Sequence, residues 1–100
     1  MLKLEDIASF VAVAEVGSIS AAARRGGWSK SVVSSRLAAL EEDLGARLFH
    51  RTTRRLSLTE DGAAFLVRAR RLVQDVDEAV ADMAERRGEL AGPMPTTENS

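Results

Sequence analysis

The segment from Ser29 to Leu44 groups small hydroxyl side chains and cations on one side of an amphipathic pattern. Its apolar residues recur every three or four positions, at Val33, Leu37, Leu40 and Leu44. This spacing predicts a helix with a buried back, and Ser29 is placed to cap its N-terminus. The polar side chains off the apolar stripe are Lys30, Ser31, Ser34, Ser35 and Arg36. A helix front of small polar and cationic groups fits the major groove of DNA.

A shorter helix is predicted directly before this segment. Ser20 can cap it, the alanines at 21–23 favour helix, and the Gly26-Gly27 pair ends it because glycine readily adopts the left-handed conformation. Two helices joined by so tight a turn form a helix-turn-helix unit at about residues 19–44. The spacing of this motif is loose, so a surface helix with a solvated polar face explains the stretch equally well. The rest of the chain must decide between the two interpretations.

Two short alternating segments follow, at residues 47–51 and 55–58, and they predict a β-hairpin. The side chains at its tip are Arg51, Thr52, Thr53, Arg54 and Arg55. A cationic tip can bind phosphate or enter the minor groove, which is typical of a β-wing beside a helix-turn-helix. A solvated charged loop is the alternative. Four arginines within nine residues, with no acidic residue among them, favour the wing.

A long helix is predicted from the N-cap Thr59 to Gly88, since no proline interrupts this stretch. Its apolar residues alternate spacings of three and four, at Leu66, Ala69, Val73, Val76, Val80 and Met83. This heptad stripe is longer than a globule made of residues 1–58 can cover, so we expect a second copy to cover it in a twofold dimer. Packing within one chain is the alternative, which only the first two turns could achieve.

The remaining parts of the chain are assigned structural roles. Leu4 to Val16 reads as a first helix, whose apolar side forms the floor beneath the helix-turn-helix. Trp28 is the only tryptophan, and we expect it to pack in the core rather than stack on a base. His50 is the only histidine and is expected on a strand surface. The acidic residues of the long helix are expected to form a solvated face, with a partner site as the alternative.

The composition excludes several classes of protein. The chain has no cysteine, so it has neither a thiol nucleophile nor a cysteine zinc site, and its single histidine has no metal-ligand partner. No paired carboxylates or Gly-rich phosphate loop suggest an enzyme, and no apolar run approaches the roughly 18 residues of a membrane span. A cytoplasmic protein is therefore expected, with no contact with a membrane.

The net charge of −1 conceals a basic region and an acidic region of the chain. Residues 20–58 hold eight cationic and three acidic residues, whereas residues 74–100 hold seven acidic and two cationic ones. A local basic region matters more for binding nucleic acid than the charge of the whole chain does.

In this order, the elements resemble the N-terminal DNA-binding domain of LysR-type transcriptional regulators. The similarity spans residues 4–87 and is carried by Phe10–Glu15 with Gly17-Ser18, Ala21-Ala22, Ser29–Ser34, Leu40–Glu42 with Leu44-Gly45, Arg47–Phe49 with Arg51-Thr52, and Leu58–Glu60 with Gly62. The resemblance implies a homodimer, or a tetramer if a full-length form exists, that binds an inverted repeat in double-stranded DNA. It also implies that Lys30, Ser31, Ser34 and Ser35 face bases and phosphates, that Arg54 is the wing contact, and that Ser18 and Ser20 touch phosphate.

The sequence departs from the family pattern at three positions. Lys30 stands where many members have glutamine, so guanine or phosphate replaces adenine as its preferred contact. Ser35 stands where arginine is common, which removes a strong contact. Gly26 stands where an apolar side chain usually packs, and we expect Trp28 to fill that space.

The family's effector-binding domain, with two α/β lobes, is absent from this sequence. The chain is either an excised domain or naturally short. We expect no cofactor in it, because a small-molecule inducer would bind only in the absent effector domain. Residues 89–100 are expected to form a flexible tail or the start of a hinge.

The sequence therefore predicts a mainly α fold. Residues 1–58 would form a winged helix-turn-helix of three helices and a two-stranded β-wing, and residues 59–88 a long dimerising linker helix. The predicted function is sequence-specific DNA binding in transcription control, with no catalytic residues. A protein-interaction module that uses the heptad helix and its acidic stripe is the alternative. The candidate DNA-contacting residues are Ser18, Ser20, Ser29, Lys30, Ser31, Ser34, Ser35, Arg36, Arg51, Thr53, Arg54 and Arg55.

Overall fold

Helices and strands follow one another in the predicted order in the computed structural model, which describes residues 2–51 and 56–88. The elements are α1 (Leu4–Val16), α2 (Ile19–Gly26), α3 (Lys30–Leu44), β1 (Phe49–Arg51), β2 (Leu56–Leu58) and α4 (Glu60–Arg86). The two strands pair antiparallel, with Phe49 opposite Leu58 and Arg51 opposite Leu56. The fold is a winged helix-turn-helix followed by a long helix, as predicted. The predicted wing tip at 52–55 and tail at 89–100 lie outside the described residues.

Side-chain caps begin three of the helices. The hydroxyls of Ser29 and Thr59 accept from the backbone N–H of Val32 and Gly62, which confirms both predicted N-caps. The choice of Ser20 for α2 is wrong, because the hydroxyl of Ser18 accepts from Ala21 N at 3.1 Å. Gly17 ends α1 in the left-handed conformation, so Ser18 is the first extended residue and the helix begins directly after it.

The first helix lies between α3 and α4 and supplies the centre of the core. Phe10 is fully buried, and its ring centroid lies 5.4 Å from that of Phe49 and 5.5 Å from that of Phe65. Such tilted aromatic pairs add to the free energy gained by burying apolar area. The prediction of α1 as a floor is therefore confirmed, although Leu4 at its first turn is exposed.

Helix α4 divides into a packed start and a projecting remainder. Its start is anchored on the wing, because Thr59 N donates to Leu48 O at 2.9 Å and a Cβ at Gly62 would collide with the same carbonyl. Leu66 is 8% exposed and Ala69 is fully buried, so both belong to the core of the single chain rather than to a free dimer stripe. The assignment of these two residues to the dimer contact is corrected accordingly, since α1 already covers them.

A buried carboxylate joins α3 to the wing. Glu41, which is 9% exposed, accepts from Leu48 N at 2.8 Å, from Phe49 N at 3.4 Å and from the Arg51 guanidinium at 3.1 Å. The sequence analysis counted Glu41 among the acids of the basic region and in the family pattern, but gave it no structural role. Its actual role is to satisfy the first backbone N–H groups of β1, which would otherwise be buried without partners.

Within the described residues, no single helix is long and apolar enough to cross a membrane. Only α1 and α2 together meet that requirement of length and composition, and the two are bent by 120° at the break between them.

Replacing Glu41 tests the attachment of the wing. We expect Glu41→Ala to lower the free energy of unfolding by about 2–4 kcal/mol in urea titrations, because two buried N–H groups lose their acceptor. Glu42→Ala is the matched control, since Glu42 is an exposed neighbour on the same helix. It should change the stability by less than about 0.5 kcal/mol. Equal stabilities for the two variants would contradict this role of Glu41.

Candidate nucleic-acid interface

The exposed front of α3 carries most of the predicted contact residues. Val33, Leu37 and Leu40 are buried against the core, which turns the opposite side of the helix outward. The exposed polar residues on that side are Lys30, Ser31, Ser34 and Ser35, and we call these four the α3 front. The structure thus brings them together as the sequence predicted.

The N-terminal end of α3 is the end suited to approach an anion. Lys30 opens the helix, whereas Glu41, Glu42 and Asp43 fall in its last turn. The helix dipole adds partial positive charge at the same end as Lys30. A polyanion is therefore attracted to the first turns of α3 and repelled by its last turn.

Val32 is a surface residue that the sequence analysis did not single out. It is 40% exposed in the first turn of α3, next to Ser31 of the α3 front. Thymine methyl groups are the apolar features of the major groove, so an exposed valine here can contact one. The sequence could have indicated that Val32 is exposed, because Val32 falls outside the three- and four-residue spacing of the buried residues Val33, Leu37 and Leu40.

Two of the three candidate serines outside the α3 front serve first as helix caps. Ser18 and Ser29 each hold their hydroxyl oxygen 3.1 Å from a backbone N–H of the helix that follows. Each hydroxyl hydrogen is still able to donate to a phosphate oxygen. Ser20 is exposed in the first turn of α2 and is not used as a cap.

Arg36 is directed into the fold rather than outward with the α3 front. Its guanidinium Nη1 donates to the hydroxyl of Ser9 at 3.2 Å, and its Cζ lies 5.1 Å from the centre of the Trp28 ring. Trp28 packs against the core, as predicted. A Cβ at Gly26 would lie 2.5 Å from the Trp28 ring, so the tryptophan does occupy the space above that glycine.

Arg51 connects the base of the wing to α3. Arg51 is 40% exposed at the end of β1, where it pairs with Glu41 at 3.1 Å. It therefore joins the wing to α3 in addition to any contact it makes with a ligand. Thr53, Arg54 and Arg55 lie outside the described residues.

The described parts of the chain contain no group of three or more His, Cys, Asp or Glu residues able to hold a metal ion. His50 is exposed on β1, as expected of a strand-surface residue.

The two-helix motif with an outward polar front, followed by a wing, defines a helix-turn-helix protein of the winged type. Residues 4–63 match the sequence model of the family described as "Bacterial regulatory helix-turn-helix protein, lysR family". The chain therefore belongs to the LysR family. This is a family of regulators, so the prediction that the chain is not an enzyme is confirmed.

Regulators from several bacteria are similar to this chain. It is 43% identical over 96 residues to the HTH-type transcriptional regulator PtxR of Pseudomonas aeruginosa, a match that covers 96% of this chain and 31% of PtxR. It is 46% identical over 79 residues to the regulator CrgA of Neisseria meningitidis, covering 79% of this chain and 26% of CrgA. The chain thus spans a third or less of the length of these relatives.

Solved structures of DNA complexes are similar to the fold. The BenM DNA-binding domain with catB site 1 DNA matches with a TM-score of 0.79 and 33% identity, over 85% of this chain and 93% of that one. The CbnR DNA-binding domain in complex with DNA matches with a TM-score of 0.71 and 36% identity, over 90% and 98% of the two chains. Both similarities extend over nearly the whole of those domains.

Proposed function

We propose that this chain is the DNA-binding part of a bacterial transcriptional regulator and that it binds an inverted repeat in double-stranded DNA as a homodimer. The observation that carries the proposal is the exposed α3 front, which stands on a helix whose back is buried in the core. The DNA complexes of BenM and CbnR support it, because their DNA-binding domains share this fold and a third of the sequence.

The shape and charge of α3 favour entry into a major groove. A helix with side chains is about 10–12 Å in diameter, close to the roughly 12 Å width of the groove. Three of the four side chains of the α3 front are short serines, so the helix can approach the bases closely. The acidic last turn would remain outside the groove, and the cationic first turn would meet the base edges and phosphates.

A second copy is the partner that best fits the projecting part of α4. Beyond the core-packed residues, the apolar side chains continue on one side of the helix and are exposed: Leu72 by 45%, Val76 by 38%, Val80 by 64% and Met83 by 50%. Val73 is half-buried between the two regions. Of the predicted dimer residues, Val73, Val76, Val80 and Met83 thus remain available for pairing.

The charges along α4 favour an antiparallel pair. Arg68, Asp75 and Asp82 are seven residues apart, so they follow one flank of the apolar stripe and change sign along it. In an antiparallel pair the basic segment around Arg68 lies beside the acidic segment around Asp82 of its partner, whereas a parallel pair would join like charges. At 27 residues the helix is about 40 Å long. This length suits two domains on grooves one turn of DNA, about 34 Å, apart.

The proposal extends to the cellular setting and to longer forms of the protein. The chain would act in the bacterial cytoplasm, where the chromosome lies, and would need no cofactor to bind DNA. A small-molecule inducer would act through a separate effector domain. In a full-length form that domain would also allow pairs of dimers to form tetramers.

Binding to duplex DNA tests the proposal directly. We expect a random pool of duplexes to yield an inverted repeat, whose affinity falls steeply with salt because bound phosphates release counterions. Arg54→Ala should weaken binding to all sequences alike and reduce the slope of log K against log salt by about one. Absence of any complex at low ionic strength would refute DNA binding. A salt-independent complex with a protein would instead favour the interaction-module alternative.

The identity of residue 30 should set one base of the preferred site. We expect Lys30→Gln to change the preference at one position of each half-site from guanine to adenine by about tenfold, since glutamine pairs with the N6 and N7 of adenine. Lys3→Gln is the matched control, because it removes the same charge from an exposed residue before α1. Sequencing of the selected pools measures the preference. An unchanged consensus with Lys30→Gln would show that residue 30 does not read a base.

Two equally exposed valines of α4 separate the dimer surface from the rest of the helix. Val80, on the apolar stripe, is 64% exposed, and Val67, on another side, is 67% exposed. We expect Val80→Asp to give a monomer in analytical ultracentrifugation, because the dimer would bury an unpaired carboxylate. Val67→Asp should remain dimeric. A dimeric Val80→Asp variant would refute pairing through this stripe.

A further inference from the structure

One guanidinium joins three separate segments of the fold behind the α3 front. Arg36 of α3 donates to Ser9 of α1 at 3.2 Å, and Ser9 is fully buried. The same guanidinium lies 5.1 Å from the ring centre of Trp28, in the turn between α2 and α3. A cation over a tryptophan face gains electrostatic attraction, and more so where water is partly excluded. We call these three residues the Arg36 clamp.

The turn before α3 is adapted to hold this tryptophan. Gly27 has a left-handed backbone with φ 73°, which explains why glycine ends α2. Gly26 lies within the helix and has no such conformation. It is required for space instead, because a Cβ there would lie 2.5–2.7 Å from three carbons of the Trp28 ring. The two glycines thus have different roles. Gly27 supplies the left-handed backbone, and Gly26 leaves space for the Trp28 ring.

The contacts of Arg36 leave its charge unneutralised but fix where it points. A hydroxyl and an aromatic ring are its contacts, and no carboxylate of the described residues lies within 4.0 Å of its guanidinium. The side chain is half-buried, whereas those of the α3 front are exposed. Turning Arg36 outward to a phosphate would break both contacts and leave a buried hydroxyl without this donor.

We propose that Arg36 is a positioning residue, which sets the orientation of α3 against α1 through Ser9 and Trp28, and that it is not a phosphate contact. This inference rests on the proposed DNA binding, since it assigns Arg36 a part in presenting the α3 front. The first helix also packs against α4. The clamp therefore fixes the reading helix relative to the helix that carries the dimer stripe.

Ser9→Ala is the sharpest test, because Ser9 is buried and cannot touch DNA itself. We expect Ser9→Ala and Arg36→Gln each to weaken affinity for the selected duplex about three- to tenfold, the effect of one lost hydrogen bond. The double variant should be no worse than Arg36→Gln, since interacting residues are not additive. Val67→Ala, at an exposed residue of α4 outside the candidate contacts and the apolar stripe, should leave affinity unchanged.

Salt dependence separates positioning from contact. If Arg36 only positions α3, the slope of log K against log salt stays the same in both variants, whereas loss of a phosphate contact lowers it by about one. All titrations are made well below the unfolding temperature of each variant, so that a loss of stability alone does not change the affinity. A lower slope for Arg36→Gln, with unchanged affinity for Ser9→Ala, would overturn the proposal.

Trp28 reports the clamp without DNA. As the only tryptophan, it gives an emission spectrum that depends on whether the guanidinium lies over its ring. We expect Ser9→Ala and Arg36→Gln to shift this emission and Val67→Ala to leave it unchanged. If the chain binds no DNA, the proposed function fails while this measurement still tests the clamp. An emission spectrum that neither variant alters would refute the clamp itself.

Discussion

The packing of Phe10 is the interaction on which the rest of the structure depends. Its ring lies about equally far from Phe49 of the wing and Phe65 of the long helix, at 5.4 and 5.5 Å. One buried side chain of α1 therefore connects the element proposed to approach DNA to the element proposed to bind the second copy. Because interiors are close-packed, a shift of either element would be transmitted to the other through this ring.

Helix α4 serves two purposes because its apolar stripe is longer than the core it packs on. The stripe is continuous in sequence, but α1 covers only its first part, at Leu66 and Ala69. Val73 is half-buried, and beyond it the same periodicity continues at Val76, Val80 and Met83, which are 38%, 64% and 50% exposed. Periodicity alone could not tell where the core ends, since heptad spacing is the same in both parts. Only the three-dimensional structure shows which part of the stripe packs in the core and which part stays exposed.

Local signals were sufficient to predict most of the fold. The bounds of α1 and the caps Ser29 and Thr59 follow from neighbouring residues, and they agree with the structure. Ser18 was missed because two serines lie within reach of the same alanines, and Gly17 decides between them by ending α1. The composition of the α3 front was also predictable, since exposure follows from the spacing of the buried stripe. The contact between Ser9 and Arg36 could not be predicted from local signals, because the two residues are 27 positions apart in the sequence.

Contacts between residues that are far apart in the sequence change the interpretation of the basic charge of residues 20–58. Two of its eight cations, Arg36 and Arg51, hold other parts of the fold together through Ser9, Trp28 and Glu41. Arg36 still contributes to the positive potential that attracts DNA, whereas Glu41 largely cancels the contribution of Arg51. Counterion release, by contrast, depends on close neutralisation of phosphates. The count of cations in the sequence therefore describes long-range attraction better than it describes the number of phosphate contacts.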